Sequence, residues 1–386
     1  MNKRYFMIIA ITIVISSVIA YYYLFHTDSI REKEMDETDF LKDKVAVVYY
    51  STTIDTRPGK GFAVFIDQKG EAYPFETKGL ELGSSAFNGK TVFFQDETND
   101  YTLSTELKKE KRDKPQFTGD YIGENPKDNS FFSIFNTGFA ETGEGYESDI
   151  YWKHNQQHKK DTLPFFIETR GHHKNNIYTI SGDVTMDEKD DNESYTFALH
   201  KTTLSAEAKT VEIMSWNDSN EPLPLSHMHY FNKHLYYLDT VSRKEKSEFR
   251  MVDLDLKNKQ VDYQIIFETA LKETDDFLPH SVHKNAHIDK DKFYMIDGKG
   301  NVYSTDLRTG SSKKEFHIKT EFQPHDFVEV DWRDHYLYLY FNTTDKSALE
   351  TYDLTSGERI DRLEIKGVEA ILKKNKVYSY DLLILK

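Results

Sequence analysis

From Val45 onward, short apolar and aromatic runs alternate with polar turns, and no sustained 3.6-residue periodicity appears. One phrase keeps returning inside this pattern: a basic or polar turn, an apolar residue, then an aromatic. It reads Ile177-Tyr178, Leu235-Tyr236, Phe293-Tyr294, Leu337-Tyr338 and Val377-Tyr378. The aromatic positions stand 58, 58, 44 and 40 residues apart, and a period in that range marks a repeated β unit. Weaker equivalents fall at Phe132, Phe93 and Ala46. The seven intervals from Ala46 to Tyr378 then average about 47 residues, the length of one four-stranded propeller blade.

The pattern within each repeat supports stacked blades. Leu337-Tyr338-Leu339-Tyr340-Phe341 and Leu235-Tyr236-Tyr237-Leu238 are apolar throughout, as strands wedged between neighbouring blades must be. Glu315–Lys319 and Arg362–Lys366 alternate, as outer strands with one wet face do. Strand-like sequence begins the domain at Val45–Tyr50 and ends the chain at Val377–Leu385, so the two ends are expected to pair in one blade and hide its edges. The expected fold is all-β, a β-propeller of about seven four-stranded blades over residues 45–386. The nearest helical candidate, Glu268 to Phe277, reads as an insertion.

Several repeats share a second element. Asp306-Leu-Arg-Thr-Gly310 and Asp353-Leu-Thr-Ser-Gly357 each close a strand with an aspartate and a turn glycine. Asp255-Leu-Lys-Asn258 is similar, and Asp67-Gln-Lys-Gly70 is one residue shorter. With the strands before them, Val302–Gly310 and Glu350–Gly357 resemble the strand–turn phrase of quinoprotein-like β-propellers, the group with PQQ and YVTN repeats. The tryptophan that usually follows the turn glycine in PQQ-type repeats is replaced by Phe316 and Leu363, so PQQ is not expected. The resemblance implies a fold used as an extracytoplasmic binding or assembly platform.

Residues 1–4 carry Lys3 and Arg4, and Tyr5–Phe25 is almost wholly apolar. About 21 residues span roughly 31 Å as a helix, enough for a hydrocarbon core. The cationic flank stays in the cytoplasm, which predicts an N-terminal transmembrane signal-anchor over 5–25 with the remainder translocated. A cleaved signal peptide ending near Val18-Ile19-Ala20 competes with this reading, but the apolar run continues through Tyr21–Phe25. Residues 26–44 mix acids and bases and read as an extracytoplasmic tether. The chain thus reads as a bacterial, Gram-positive cell-membrane protein with its C-terminal domain outside.

Composition narrows the chemistry. There is no cysteine, so thiolate chemistry, disulfides and lipoprotein acylation are excluded. A net charge of −15 and the lack of a basic patch argue against nucleic acid. The Lys108–Lys114 run is broken by Glu110 and Asp113 and reads as a solvated loop. Gly138–Gly145 carries Glu141 and Glu144, which would repel phosphate, and Asp187–Glu193 lacks the spacing of a calcium loop. Neither a Gly-x-Ser-x-Gly elbow nor a His-Glu-x-x-His pair occurs.

Histidine is the unusual titratable residue, 15 in 386, and His172, His173, His227, His229, His280, His283, His287 and His325 stand just before the repeated strand, where histidines from different blades could converge at the axis of a propeller. Seven residues before the repeat aromatic stand Gly171, His229, His287, Asp331 and Ile371. His229, His287 and Asp331 therefore hold equivalent inner-strand positions in three consecutive repeats, and two imidazoles with a carboxylate form a recognised ligand set for a divalent metal. His280 and His325, each after a proline, suggest a second pair, while His172 shares neither register. The competing reading is that these histidines are bonded locally in a polar protein. With no catalytic motif, the leading function is a membrane-anchored binding or assembly platform for an envelope protein, peptide or glycan. The alternative is a metal-dependent extracellular enzyme using His229, His287 and Asp331.

Overall fold

In the computed structural model, the repeated phrase builds the second strand of each of seven sheets. The structure describes residues 29–386 apart from 38, 141, 144, 188–191, 219, 282, 320–326 and 343–345. Ala46, Phe93, Phe132, Tyr178, Tyr236, Tyr294 and Tyr338 lie in the strands Lys44–Ser51, Val92–Gln95, Ser130–Phe139, Asn176–Asp187, His234–Arg243, Lys292–Ile296 and Tyr336–Asn342. Each sheet is an antiparallel meander of four strands, with a short fifth strand in one of them. We number the blades 1 to 7 in this order. Their innermost strands are Tyr378–Ile384, Ser85–Phe87, Gly119–Asn125, Thr169–His173, His229–Phe231 with Pro222–Pro224, Ala286–Asp289 and Phe327–Arg333.

Blade 1 is composite. Its inner strand, Tyr378–Ile384, comes from the C-terminal end of the chain and pairs antiparallel with Lys44–Ser51, matching Ala46 to Ile384 and Val48 to Leu382. The expected pairing of the two ends is therefore present. The Val377-Tyr378 phrase, however, opens this closing strand instead of a second strand. Seven residues earlier, Ile371 sits in the helix Glu369–Asn375 and packs between blades 7 and 1, so it is no inner-strand equivalent.

Blades are held by apolar side chains from adjacent sheets. Tyr340 and Leu349 of blade 7 meet Val48, Phe62 and Leu382 of blade 1, while Leu337 and Leu339 of blade 7 meet Tyr294 and Val302 of blade 6. Among the described residues, the buried apolar cluster shared by blades 2 and 3 is Ala86, Phe93, Ile122 and Phe131. That thinner seam gains a buried polar contact, Gln95 donating to Ser133 Oγ at 2.8 Å. The strands of blade 2 are short, which explains why its repeat is faint in the sequence.

The turn aspartates work as expected. Asp306 accepts from the backbone N–H groups of Arg308 and Thr309, and Asp353 from Thr355 and Ser356. Gly310 and Gly357 take φ of +70° and +72°. In the Asp255 turn the left-handed residue is Lys259, not Asn258.

Three expectations are corrected. Lys108–Lys114 is not a solvated loop: Leu107–Lys111 is the outer strand of blade 2, and Arg112 is buried against Asp100. Glu268–Phe277 continues a strand to Ala270 and then makes a short 3-10 turn and one helical turn, Thr274–Phe277. Part of the 26–44 segment does not stand free, because Met35 is buried and Phe40 packs on Phe65 and Tyr73 at the edge of blade 1. Asp187 and Asn192 pair in blade 4, and residues 188–191 between them lie outside the described residues. The predicted span 5–25 lies outside the described residues, among which no helix is long and apolar enough to cross a membrane.

Candidate functional site

Residues two apart on a strand point to one side, so each innermost strand sends alternate side chains toward the ring axis. There they enclose a channel. One cavity of about 400 Å³ is lined by His172, His227, His229, His283, His287 and Asp331, together with Phe87, Tyr121, Glu124, Lys284 and Trp332. A second, of about 150 Å³, adjoins it through Tyr121, His227, His283 and Lys284, and continues to Asp120, Ser281 and Asp381.

The imidazoles are held neutral. Burial lowers His229 to about 3, helped by His287, and lowers His172 to about 4. His227 and His283 fall well below the ordinary value, chiefly by burial and then by the Arg170 charge. His287 is lowered by burial against an opposing backbone hydrogen bond. Every one of these rings therefore presents a lone pair at neutral pH. Tyr121 Oη lies 2.8 Å from His172 Nδ1, and the His227 and His283 rings stack with centroids 5.0 Å apart. His227 Nε2 and His229 Nε2 are buried without a hydrogen-bond partner, as are Asp120 Oδ2 and Arg170 Nε. Buried polar groups are normally paired with protein or with water, so these open donors and acceptors are positions where water or a ligand can bind.

A different network fills the side of the axis where the ring closes. Lys284 Nζ donates to Leu382 O at 2.7 Å and pairs with Asp381 Oδ1 at 2.7 Å. Asp381 also accepts from the backbone N–H and Oγ of Ser85, at 2.8 and 2.7 Å. Asp331 Oδ2 accepts from Ile384 N at 2.8 Å, and Glu329 accepts from Ser379 Oγ at 2.9 Å. Burial raises Glu329 to about 8, so its carboxyl is protonated at neutral pH.

The structure brings the three candidate ligands to one cavity wall. His229 and His287 stand edge to face with centroids 6.3 Å apart, and Trp332 stacks on His287 at 5.8 Å. His287 Nε2 donates to Asp334 O at 3.1 Å. The Asp331 carboxylate serves the closure network, accepting also from Trp332 N, and lies 3.9 Å from Lys284 Nζ. Among the described residues, no three histidine, aspartate or glutamate side chains are placed to hold a metal ion together. His280 donates outward to Gly298 O, and its suggested partner His325 lies outside the described residues. His172 reaches the channel despite its different register. Sequence reasoning set His227 and His283 aside, because they precede the repeated strand outside the shared register, and it missed Lys284, Asp120 and Arg170. The signal for His227 was available, since it stands two residues before His229, where an extended chain returns to the same side, and both line the larger cavity.

These features define a seven-bladed β-propeller with a polar, histidine-walled channel. The YycP β-propeller domain family matches residues 39–385, and the chain belongs to that family. It is 27% identical over 368 residues to the uncharacterized protein YycP of Bacillus subtilis (strain 168), spanning 93% of this chain and 92% of that one. Among solved structures, a mutant Synechocystis apocarotenoid oxygenase is similar at TM-score 0.46 and 11% identity, covering 84% of this chain and 90% of that one. BamB from Moraxella catarrhalis is similar at TM-score 0.39 and 10% identity, covering 82% and 90%. Likenesses at that level say nothing about function.

Proposed function

We propose that this chain is a cell-surface binding propeller, anchored by residues 5–25, that engages an envelope protein across the mouth of its channel. The observation that carries this reading is the cluster of buried, unpartnered polar atoms on the channel wall, His227 Nε2, His229 Nε2 and Asp120 Oδ2. Leaving such groups open costs stability, which selection retains where a ligand completes them. The mouth supplies aromatic and charged anchors: Trp332 and Phe87, Arg333 over the Phe87 ring at 5.6 Å, and Glu124. Aromatic and arginine anchors of this kind dominate protein interfaces. The apolar 5–25 segment behind Lys3 and Arg4 supports an extracytoplasmic location. The repeat phrase similar to quinoprotein-like propellers fits the same role.

The test is site-specific photo-crosslinking in native membranes, with the reactive group at Glu124 or, as a control, at Lys314 on the outer strand of blade 6. One dominant protein adduct from Glu124 alone is expected. The same adducts from both positions, or none from Glu124, would overturn the reading, and a glycan adduct would redirect it. The second reading, a metal-dependent extracellular enzyme using His229, His287 and Asp331, is favoured by their shared cavity. It is weakened by the engagement of both Asp331 oxygens with backbone N–H groups.

A further inference from the structure

We infer that the propeller face carrying Phe139, Tyr146 and Phe166 docks a basic amphipathic segment of a partner protein. Glu124 lies toward the other face, near the far end of the inner strand Gly119–Asn125, so the inference does not rest on the reading proposed above. Three observations carry it.

First, exposed apolar residues collect on one face. Strands within each blade alternate in direction, so the turns joining second to third strands share a face with the connections from one blade to the next. The turns joining first to second and third to fourth strands make the other face. Ile54, Phe117, Phe139, Phe166, Leu223 and Leu271 are exposed, and all lie in or beside segments of the first face. Among the described residues, no large apolar side chain is exposed in the turns of the second face. Single exposed apolar residues are ordinary, whereas a one-sided set marks an interaction surface.

Second, the aromatic members are contiguous. Phe139, 79% exposed, pairs with Tyr146 across the second and third strands of blade 3, their ring centroids 5.6 Å apart. Tyr146 in turn meets Phe166, from the connection to blade 4, at 5.1 Å. Both contacts are edge to face, so the rings are already ordered and lose little freedom when covered. The chain's own N-terminal residues leave this cluster uncovered. They pack toward the second face, where Ile30 N donates to Pro74 O and Asp36 accepts from Leu107 N.

Third, charge selects the occupant. The stretches 137–148, 163–168 and 217–226 carry acids but no lysine or arginine. Burial and then the neighbouring Glu221 charge raise the Glu168 carboxyl, so two acids face one another beside the rings and a cation between them relieves both. An anionic bilayer surface, or a second copy of a chain with net charge −15, would bring more negative charge to this face. Apolar rings flanked by acids match a segment that carries lysine or arginine beside an apolar stripe.

The experiment is site-specific photo-crosslinking of the full chain in native membranes, with the reactive group at Phe139, at Phe166 or, as a control, at Ile360, which is exposed on the outer strand of blade 7. The expected result is one shared protein adduct from Phe139 and Phe166 and none from Ile360. Its crosslinked peptide, sequenced by mass spectrometry, should carry lysine or arginine among apolar residues. Raising salt from about 0.1 to about 1 M shortens the screening length from about 10 to about 3 Å and should lower the yield about threefold or more. Glu168→Gln with Glu221→Gln should lower it to a similar extent at low salt, with circular dichroism melts verifying the fold. If that variant misfolds, the exposed Glu221→Gln alone must lower the yield about twofold. A lipid adduct, an adduct to a second copy, a crosslinked peptide without basic residues, equal yield from Ile360, a yield indifferent to salt, or no adduct would each overturn the inference. The Glu124 crosslink reads the other face, so neither result decides the other.

Discussion

Two sets of buried polar groups line the channel and are built on opposite terms. On the closure side, Lys284, Asp381, Asp331, Glu329, Ser85 and Ser379 form a network linking blades 2, 6 and 7 to the C-terminal strand of blade 1. On the other side, imidazoles and the Asp120–Arg170 pair leave acceptors and a donor unmatched. Both regions carry the cost of taking polar groups out of water. In the first, hydrogen bonds offset it and fix where the last strand docks. In the second, the Asp120–Arg170 pair and the Tyr121–His172 bond offset part of it, while His227 Nε2, His229 Nε2, Asp120 Oδ2 and Arg170 Nε have no protein partner. The closure network therefore belongs to folding, and the proposed binding falls to the histidine wall.

The largest effect expected from breaking this contrast comes from the closing strand. Removing residues 377–386 strips the inner strand from blade 1 and uncovers Val48, Phe62 and Tyr340. Calorimetry should then show no cooperative unfolding transition. Next comes Lys284→Met, which leaves the Asp381 and Asp331 charges buried without their cation. Its expected cost in urea unfolding is about 3–5 kcal/mol, the range for a broken buried pair. A loss under about 1 kcal/mol would mean that the network is not what holds the ring shut.

pH separates the two regions by sign. His229, lowered to about 3 from 6.5, favours the neutral form in the folded chain, so its contribution is complete above pH 6.5 and is lost as pH falls toward 3. Glu329, raised from 4.5 to about 8, behaves oppositely: its contribution is complete below pH 4.5 and is lost as pH rises toward 8. Melting temperature against pH should lose its alkaline decline in Glu329→Gln and flatten on the acid side in His229→Gln. Unchanged profiles would remove the assignment. The smallest effect is Lys366→Ala, which breaks an exposed pair with Glu71 and should change stability by no more than about 0.5 kcal/mol.

Much of the scaffold was legible in the sequence, because blade strands are local and each repeats its own apolar phrase. The second strands from Ala46 to Tyr338 were read in place. The phrase misled at Val377-Tyr378, since an aromatic opening a closing strand looks like one opening a second strand. The site was only partly legible. Equal register marked His229, His287 and Asp331 as neighbours, and they do share a wall, but register is blind to rival partners. Asp331 contacts Ile384, 53 positions away, and Lys284 contacts Leu382, 98 away, so the closure network left no local trace. Arg112 was misread for the same reason: its burial depends on Asp100, a cross-strand neighbour.

The claim that the histidine wall exists for a ligand is tested most directly by the stability of His229→Leu with His227→Leu. Replacing an unpartnered buried polar group by an apolar one removes a desolvation cost. Urea unfolding in metal-free buffer should therefore show the variant equal to the parent or more stable. A loss of more than about 2 kcal/mol would show that these imidazoles hold the fold together, and would contradict the account.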